Sequence, residues 1–556
     1  MIQFDEDKQN LRVADLHRKE EEELVQMLAS KFGVEYIDLS TVAISTDALR
    51  LVEESKAREA KLAPFSLVDK HVRIAMRQPD AENSKLILED IAKKGYDVSG
   101  YIASTASLEK AWKSYKDMSF AMETKAGSLE ISNDDISEII DQAKSLPTIQ
   151  SILENTMTLK KSFRVSRILE TILAGALAIG ASDVHIEPEE EYVRLRYRLD
   201  GVLTDVSRFD RDTFKLLVSR IKLLSGLKLN IKQEPQDGRF SIKLADSDIE
   251  IRTSVLPGAY SESIVLRILN PKSISTPLED LGIPPKLLKV ILEAIDKPNG
   301  MLLTTGPTGS GKTTTLYALL KKIHEPSIKI ITIEDPIEYH LPGITQTQTN
   351  EKGYNFLEGL RSALRQDPDV IMVGEIRDGE TAAIAINSAL TGHLVFSTLH
   401  TNNAAGAFPR LIDLGVNPKV ITSALTVTLA QRLVRKLCQF CKKEVPIDGD
   451  AKAKIDKVIA SIVDKSLIPA NTAKMWLPGG CEKCNKTGFK GRIGIYEGIL
   501  VDKAIEDVIE SNPSERSVIE ISAPQGLLNM EQDGVIKILE GITSLPELQR
   551  VIEVAD

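Results

Sequence analysis

Cysteine, aromatic residues, basic excess and long apolar runs are all scarce in this chain of 556 residues. Only four cysteines occur, and all fall in two CxxC pairs, "CQFC" at 438–441 and "CEKC" at 481–484. Aromatics make up 5% of residues, which argues against a β-sandwich and for a helix-rich or α/β architecture. Acids outnumber bases, for a net charge of -10, so nucleic acid is not expected as the principal ligand, since backbone binding leans on clustered Lys and Arg; a local basic patch is still compatible with that balance. The first residues, "MIQFDEDKQNLRVADLHRKEEEELVQ", lack the basic-then-apolar order of a signal peptide. The longest apolar-looking segment, "ILETILAGALAIGAS" (Ile168 to Ser182), is shorter than the roughly 20 residues a membrane span needs and contains Glu170. A cytoplasmic protein is the expectation.

What is present is ordinary globular composition, 42% apolar and 27% charged, with length for three to four domains. Residues 1–115 alternate helical patterns with short apolar runs such as "VEYIDL" and "HVRIAM", as a compact α/β module would. A linker follows over 116–148, around "ETKAGSLEISNDD". Residues 149–270 open with a helix ending near Gly180 and continue with "VRLRYRLDGVL", "GRFSIKL", "DIEIRTSVL" and "SIVLRIL", whose period-two alternation predicts a small antiparallel sheet. Arg194, Arg196 and Arg198 share one face there and read as a solvated row. From 271 to 556, buried strands such as "IKIITI", "DVIMV" and "LVFSTL" alternate with helices, the mark of a parallel sheet. The last hundred or so residues read as helical and carry the cysteines, and no internal repeat or low-complexity tract is found.

The segment "GPTGSGKTT" (Gly306, Pro307, Thr308, Gly309, Ser310, Gly311, Lys312, Thr313, Thr314) follows the apolar strand "MLLTT" and opens the helix "TTTLYALLKKI". That is the strand, loop and helix context of a nucleotide phosphate loop. The glycines let the backbone curl so that N–H groups meet phosphate oxygens at a positive helix end. Lys312 reaches the β/γ-phosphates of ATP, and the Thr313 hydroxyl serves Mg²⁺. Two later strands end in acids, "IITIEDPIEY" with Glu334, Asp335 and Glu338, and "DVIMVGEIRD" with Glu375 and Asp378. Ligands gather beyond the carboxyl ends of such strands, so one acid can order Mg²⁺, with Glu375 on the metal side, and another a water. His393 and His400 lack metal-ligand spacing.

The two CxxC pairs, with 39 residues between them, suit four thiolates around a closed, structural Zn²⁺. A redox pair is the alternative, although neither CxxC follows a thioredoxin-like strand-helix start.

Taken together, "GPTGSGKT", "TIEDPIEY", "DPDVIMVGEIRD" and "TGHLVFSTLHTN" resemble, in order and spacing, the Walker A, Asp box, Walker B and His box of the secretion ATPases of type II secretion and type IV pilus assembly. The resemblance runs from about 150 to the end, through "ASDVHIEP", "RYRLDG" and "QDGRFSIKL". It implies a RecA-like P-loop ATPase domain (271–556) with a zinc-binding element at 438–484 in a helical extension, a preceding PAS-like α+β domain and an N-terminal docking domain. It further implies that Arg252 and Arg267 reach the nucleotide, that His400 joins the catalytic set, and that Arg361, Arg365, Arg377 and Arg410 line subunit or domain contacts. Members are homo-hexamers at an inner-membrane platform protein. The N-terminal module together with the cysteines resembles the assembly and secretion branches rather than the retraction branch, so pilus assembly is expected, with a type II secretion or competence pseudopilus as the alternative. A scaffold with vestigial hydrolysis is the rival from another class. The sequence departs from the family at Ser261, where a Gly is usual, and "NLRVADLHRKEEEEL" lacks the glycine and second copy of a cyclic di-GMP repeat, so that ligand is not expected.

Overall fold

The computed structural model of the chain describes residues 21–554, apart from 43, 50, 69, 116–120, 125–127, 132–138, 140–141, 144, 159–160, 245–247, 271–275, 351–352 and 512. Most of the segment weighed for cyclic di-GMP, residues 10–24, lies outside the described residues. The chain divides into two compact units, one of residues 1–122 and 156–170, the other of 123–155 and 171–556. Among the described residues, no helix is long and apolar enough to cross a membrane.

The first unit contains an α/β module. Its four-stranded sheet runs Glu35–Tyr36, Asp97–Ile102, His71–Met76, Leu62–Val68. The hairpin Leu62–Val68/His71–Met76 is antiparallel, and the helix Glu82–Lys93 returns the chain to a parallel neighbour, Asp97–Ile102. Phe65, Ile74 and Trp112 fill its core, and the Trp112 indole donates to the Leu62 carbonyl at 3.0 Å, satisfying the one polar atom that burial would strand.

In the second unit, alternation becomes a sheet with one buried face: Val193, Leu195, Tyr197 and Leu199 point inward while Arg194, Arg196 and Arg198 point out. The order is Ala121–Thr124, Ser128–Ile131, Gln236–Lys243, Asp248–Pro257, Glu262–Leu269, Asp183–Pro188, Val193–Leu199, Val202–Phe209. The expected linker therefore contributes edge strands, and Ser128–Ile131 pairs parallel with Gln236–Lys243, an exception to the antiparallel sheet foreseen. Its "SLEI" is too short for periodicity to reveal a strand. At the family departure, Ser261 accepts from the Gly258 N–H at 3.0 Å and closes the turn, while Glu262 is buried in an ion pair with Lys222.

The second, mostly parallel sheet has seven strands in the order Thr345–Gln348, Ile330–Glu334, Val370–Val373, Leu394–Leu399, Gly300–Thr305, Leu425–Leu437, Phe489–Leu500. All pairs are parallel except the last. Helices cover both faces, so alternate residues of one strand enter opposite cores, Met301 and Leu303 one, Leu302 the other. The cysteines sit where the long strands Leu425–Leu437 and Phe489–Leu500 turn around, in an insert with a two-stranded antiparallel sheet and, between its strands, the helix Gly449–Ser461. The expectation that this region is helical thus holds for the insert's middle and for residues after Lys503, not for the strands that mount the thiols.

Candidate nucleotide site and cysteine centre

The strand Gly300–Thr305 lies inside its sheet, and its carboxyl end delivers the phosphate loop to the helix Lys312–Ile323. Gly306 and Gly311 have φ of 139° and 94°, conformations L side chains rarely adopt. A Cβ on Gly306 would also stand 2.6 Å from the Gln431 carbonyl oxygen. Gln431 braces the loop from the neighbouring strand, its amide donating to the Ser310 carbonyl at 2.9 Å. No side chain caps the helix at Gly311, which leaves its first N–H groups for an anion. The Lys312 ammonium is held inside the loop, donating to the carbonyls of Gly306 at 2.6 Å and Pro307 at 3.2 Å. Burial pushes its pKa down, and Glu375 opposes that shift.

Both acid-bearing strands end at the same cavity. Glu334 is buried; its carboxylate accepts from the Tyr317 hydroxyl, from Thr332 Oγ1 at 2.6 Å and from Gln346 Nε2 at 3.0 Å. Burial, then the Glu334 charge, pushes the Tyr317 phenol well above its ordinary pKa, so it remains a donor. Glu375 pairs with Arg377 and, at 2.9 Å, with His400 Nε2. Burial raises its pKa, yet those two partners outweigh burial and hold the carboxyl below its usual range. Arg377 also reaches Asp335 at 3.4 Å.

A cavity of about 930 Å³ gathers Pro307 to Thr314, Glu334, Glu375 and His400 from the mostly parallel sheet's side with Arg198 and Arg267 from the eight-stranded sheet. Arg267 is 58% exposed and holds Asp183 at 3.1 Å. Arg252 is not on this cavity: it donates to Glu338 at 3.1 Å and to the Ile337 carbonyl at 2.6 Å, bridging the eight-stranded sheet to the loop after Glu334. Gly306 sits behind the lining, as its close approach to Gln431 requires. The outer face of the arginine row is part-exposed and ion-paired, Arg194 with Asp205 at 2.7 Å and Arg196 with Glu187. Arg361 pairs within its own helix with Glu358 at 3.0 Å.

Sequence reasoning missed Tyr317, Gln346, Gln431, Arg432 and Arg550. Tyr317 stands five residues after Lys312 on the same helix, a spacing that motif reading does not score. The other four come from strands or helices whose place beside the loop depends on sheet order. In chemical terms the site offers a cation, free helix N–H groups, hydroxyls at Thr313 and Thr314 and two carboxylates. Oxygen donors at Thr313 and Glu375 suit a hard divalent cation.

The four sulfurs of Cys438, Cys441, Cys481 and Cys484 all lie within 4.8 Å of one another. Cys438 to Cys481 and Cys441 to Cys484 are 3.8 Å, and Cys481 to Cys484 is 3.7 Å. A regular tetrahedron with zinc–sulfur bonds of 2.3 Å has edges of about 3.8 Å, whereas a disulfide brings sulfurs to about 2.05 Å. The thiol set therefore fits a four-coordinate metal. Burial pushes the Cys484 thiol up, but N–H groups of Cys481 and Gly488, each 3.3 Å from its sulfur, help bring it down to about 7.

Fold and cavity together define a P-loop ATPase of RecA-like architecture. The chain belongs to the Type II/IV secretion system protein family, which it matches over residues 158–550. Residues 32–121 match the MshEN domain. It is 44% identical to type II secretion system protein E of Aeromonas hydrophila over 388 residues, 70% of this chain and 75% of that protein. It is 35% identical to the type IV pilus assembly ATPase PilB of Myxococcus xanthus over 534 residues, 95% of this chain and 91% of that one. Among solved structures, the Yersinia pseudotuberculosis ATPase DotB superposes with a TM-score of 0.50 at 21% identity, over 71% of this chain and 94% of that chain, a likeness of fold.

Proposed function

We propose that the chain is the motor of a type IV pilus assembly machine, a cytoplasmic homo-hexamer that docks on an inner-membrane platform protein and hydrolyses ATP to extrude pilin. The observation that carries the ATPase chemistry is the convergence of Lys312, Glu334 and Glu375 on one cavity. In this reading the loop N–H groups and Lys312 hold the β- and γ-phosphates. Thr313 and Glu375 would hold Mg²⁺, which would supply neutralisation of phosphate charge. Glu334 orients the attacking water, Arg267 steadies charge that develops at the transition state, and His400 keeps Glu375 ionised and aimed. Arg252 reaches the nucleotide only after leaving Glu338. The cysteine centre holds structural zinc. A match over 95% of this chain to a pilus assembly ATPase, its N-terminal module included, supports the pilus reading.

The higher identity to a type II secretion relative, over 70% of the chain, favours a second reading, a secretion pseudopilus. Replacing the resident gene by its Lys312→Ala form separates them. Loss of surface pili with normal protein secretion is expected; loss of secretion with pili intact would overturn the pilus assignment. A scaffold with vestigial hydrolysis would leave both unchanged.

A further inference from the structure

The nucleotide cavity has a second wall to which none of the nucleotide motifs contributes a residue. In the mostly parallel sheet, the strands that end in Glu334 and Glu375 lie on one side of Gly300–Thr305, and Leu425–Leu437 and Phe489–Leu500 lie on the other. A terminal phosphate seated between Lys312 and the acids would direct the nucleoside end of the nucleotide to the second side. The cavity is lined there by Arg432, Leu433, Arg492, Arg550 and Val551.

We propose that Glu547 is a positioning residue that fixes the Arg550 guanidinium on this wall, where Arg550 contacts the nucleoside end of the bound nucleotide. The proposal rests on reading the cavity as an ATP site. Glu547 and Arg550 share the short C-terminal helix Leu545–Val551. The Glu547 side chain is 0% exposed, while Arg550 keeps 47% of its surface open. Arg550 forks onto the carboxylate, Nε to Oε2 at 3.0 Å and Nη2 to Oε1 at 2.7 Å. From the strand, Arg435 adds its Nε at 3.0 Å, its Nη2 at 2.7 Å and its backbone N–H at 3.0 Å. The backbone contact matters most, because it sets the carboxylate by the sheet rather than by another mobile side chain. Arg435 is itself fixed, its guanidinium 4.1 Å over the Phe489 ring and its carbonyl accepting from Thr543 Oγ1 at 2.9 Å.

One arginine would neutralise a buried carboxylate; here there are two. The pair of cations around one anion leaves a net positive charge, and the member that carries it into the cavity is the half-open Arg550. A guanidinium held by a bidentate fork at one edge still offers a flat face to a purine ring and remaining N–H groups to ribose oxygens. The fork also removes the rotamer freedom that a free arginine would lose on binding.

The test compares two probes on purified full-length chain, Mg²⁺-ADP and inorganic tripolyphosphate, the second having no nucleoside end. Arg550→Gln is expected to weaken ADP about tenfold, the loss of one charge-assisted contact, and to leave tripolyphosphate within about twofold. Glu547→Gln should give the same selective loss. Glu547→Asp, which keeps the charge but shortens the reach, should give a smaller one and guards against a misfolded Gln variant. Arg516→Gln, at an exposed ion pair on another helix, is the control and should change neither. The proposal is overturned if Arg550→Gln binds ADP like wild type, if it loses both probes alike, or if both Glu547 variants fold and retain full ADP affinity. Wild-type chain that binds neither probe would instead overturn the ATP-site reading itself.

Discussion

The phosphate loop and the four-cysteine centre share one strand, Leu425–Leu437. Gln431 within it braces the loop, and Cys438 directly follows its last residue. Yet the two are built in opposite ways. The cysteine centre takes its ligands from two tight turns, in which Cys441 N–H donates to the Cys438 carbonyl and Cys484 N–H to the Cys481 carbonyl, both at 3.2 Å. Two-residue spacing alone aims each pair, and a metal need only join two knuckles. The nucleotide site instead draws on several strand ends and a helix, and sheet order sets where each lands. A site of local turns should fail by losing structure, and a site of assembled strand ends by losing chemistry.

Changes at the two regions should therefore separate stability from turnover. The largest effect is expected from Cys438→Ser. Structural zinc contributes about 10 kcal/mol or more to small metal-held folds, so this variant should hold less than half the zinc of wild type and be cut by protease within 442–480. Next comes Glu547→Gln, judged by thermal melts. Breaking a buried ion pair costs about 3–5 kcal/mol. Burial pushes the Glu547 carboxyl up, but Arg550 and Arg435 outweigh it and hold its pKa below the ordinary value. A depressed folded pKa adds stability that is present above the unfolded value and lost as pH falls through the folded one. The Tm gap to wild type should thus be full at pH 7 and close under acid conditions; a gap that widens in acid would contradict the pairing.

Smaller effects belong to the chemistry. Glu375→Gln should lower kcat about a hundredfold with no change in zinc content and ADP affinity kept within about threefold. Arg267→Ala should lower kcat about tenfold with ATP binding largely intact. An equal loss of binding would place Arg267 in ground-state recognition instead.

How far the sequence carried this picture follows the same division. Glycine and lysine spacing marked the phosphate loop, and CxxC spacing marked the thiols, because both are local rules. Buried apolar runs revealed four strands of the parallel sheet, Gly300–Thr305, Ile330–Glu334, Val370–Val373 and Leu394–Leu399, since helices covering both faces favour apolar residues there, but not the polar edge strand Thr345–Gln348 or the two long strands that mount the thiols. The hydrogen bonds around Glu334 were not legible, because Tyr317 and Gln346 reach it from a helix and an edge strand. Nor was Arg252's engagement with Glu338, which depends on how the eight-stranded sheet meets the loop after Glu334. The strands Ala121–Thr124 and Ser128–Ile131 fell in sequence that patterning reads as linker.

That Lys312 and the acids beside it hydrolyse ATP is checked by phosphate release from Mg²⁺-ATP, with wild type and Lys312→Ala assayed side by side. Wild type should turn over steadily and the variant should release nothing above background, with equal melting temperatures and zinc content. Equal phosphate release from both proteins, or none from a folded and zinc-loaded wild type, would contradict it.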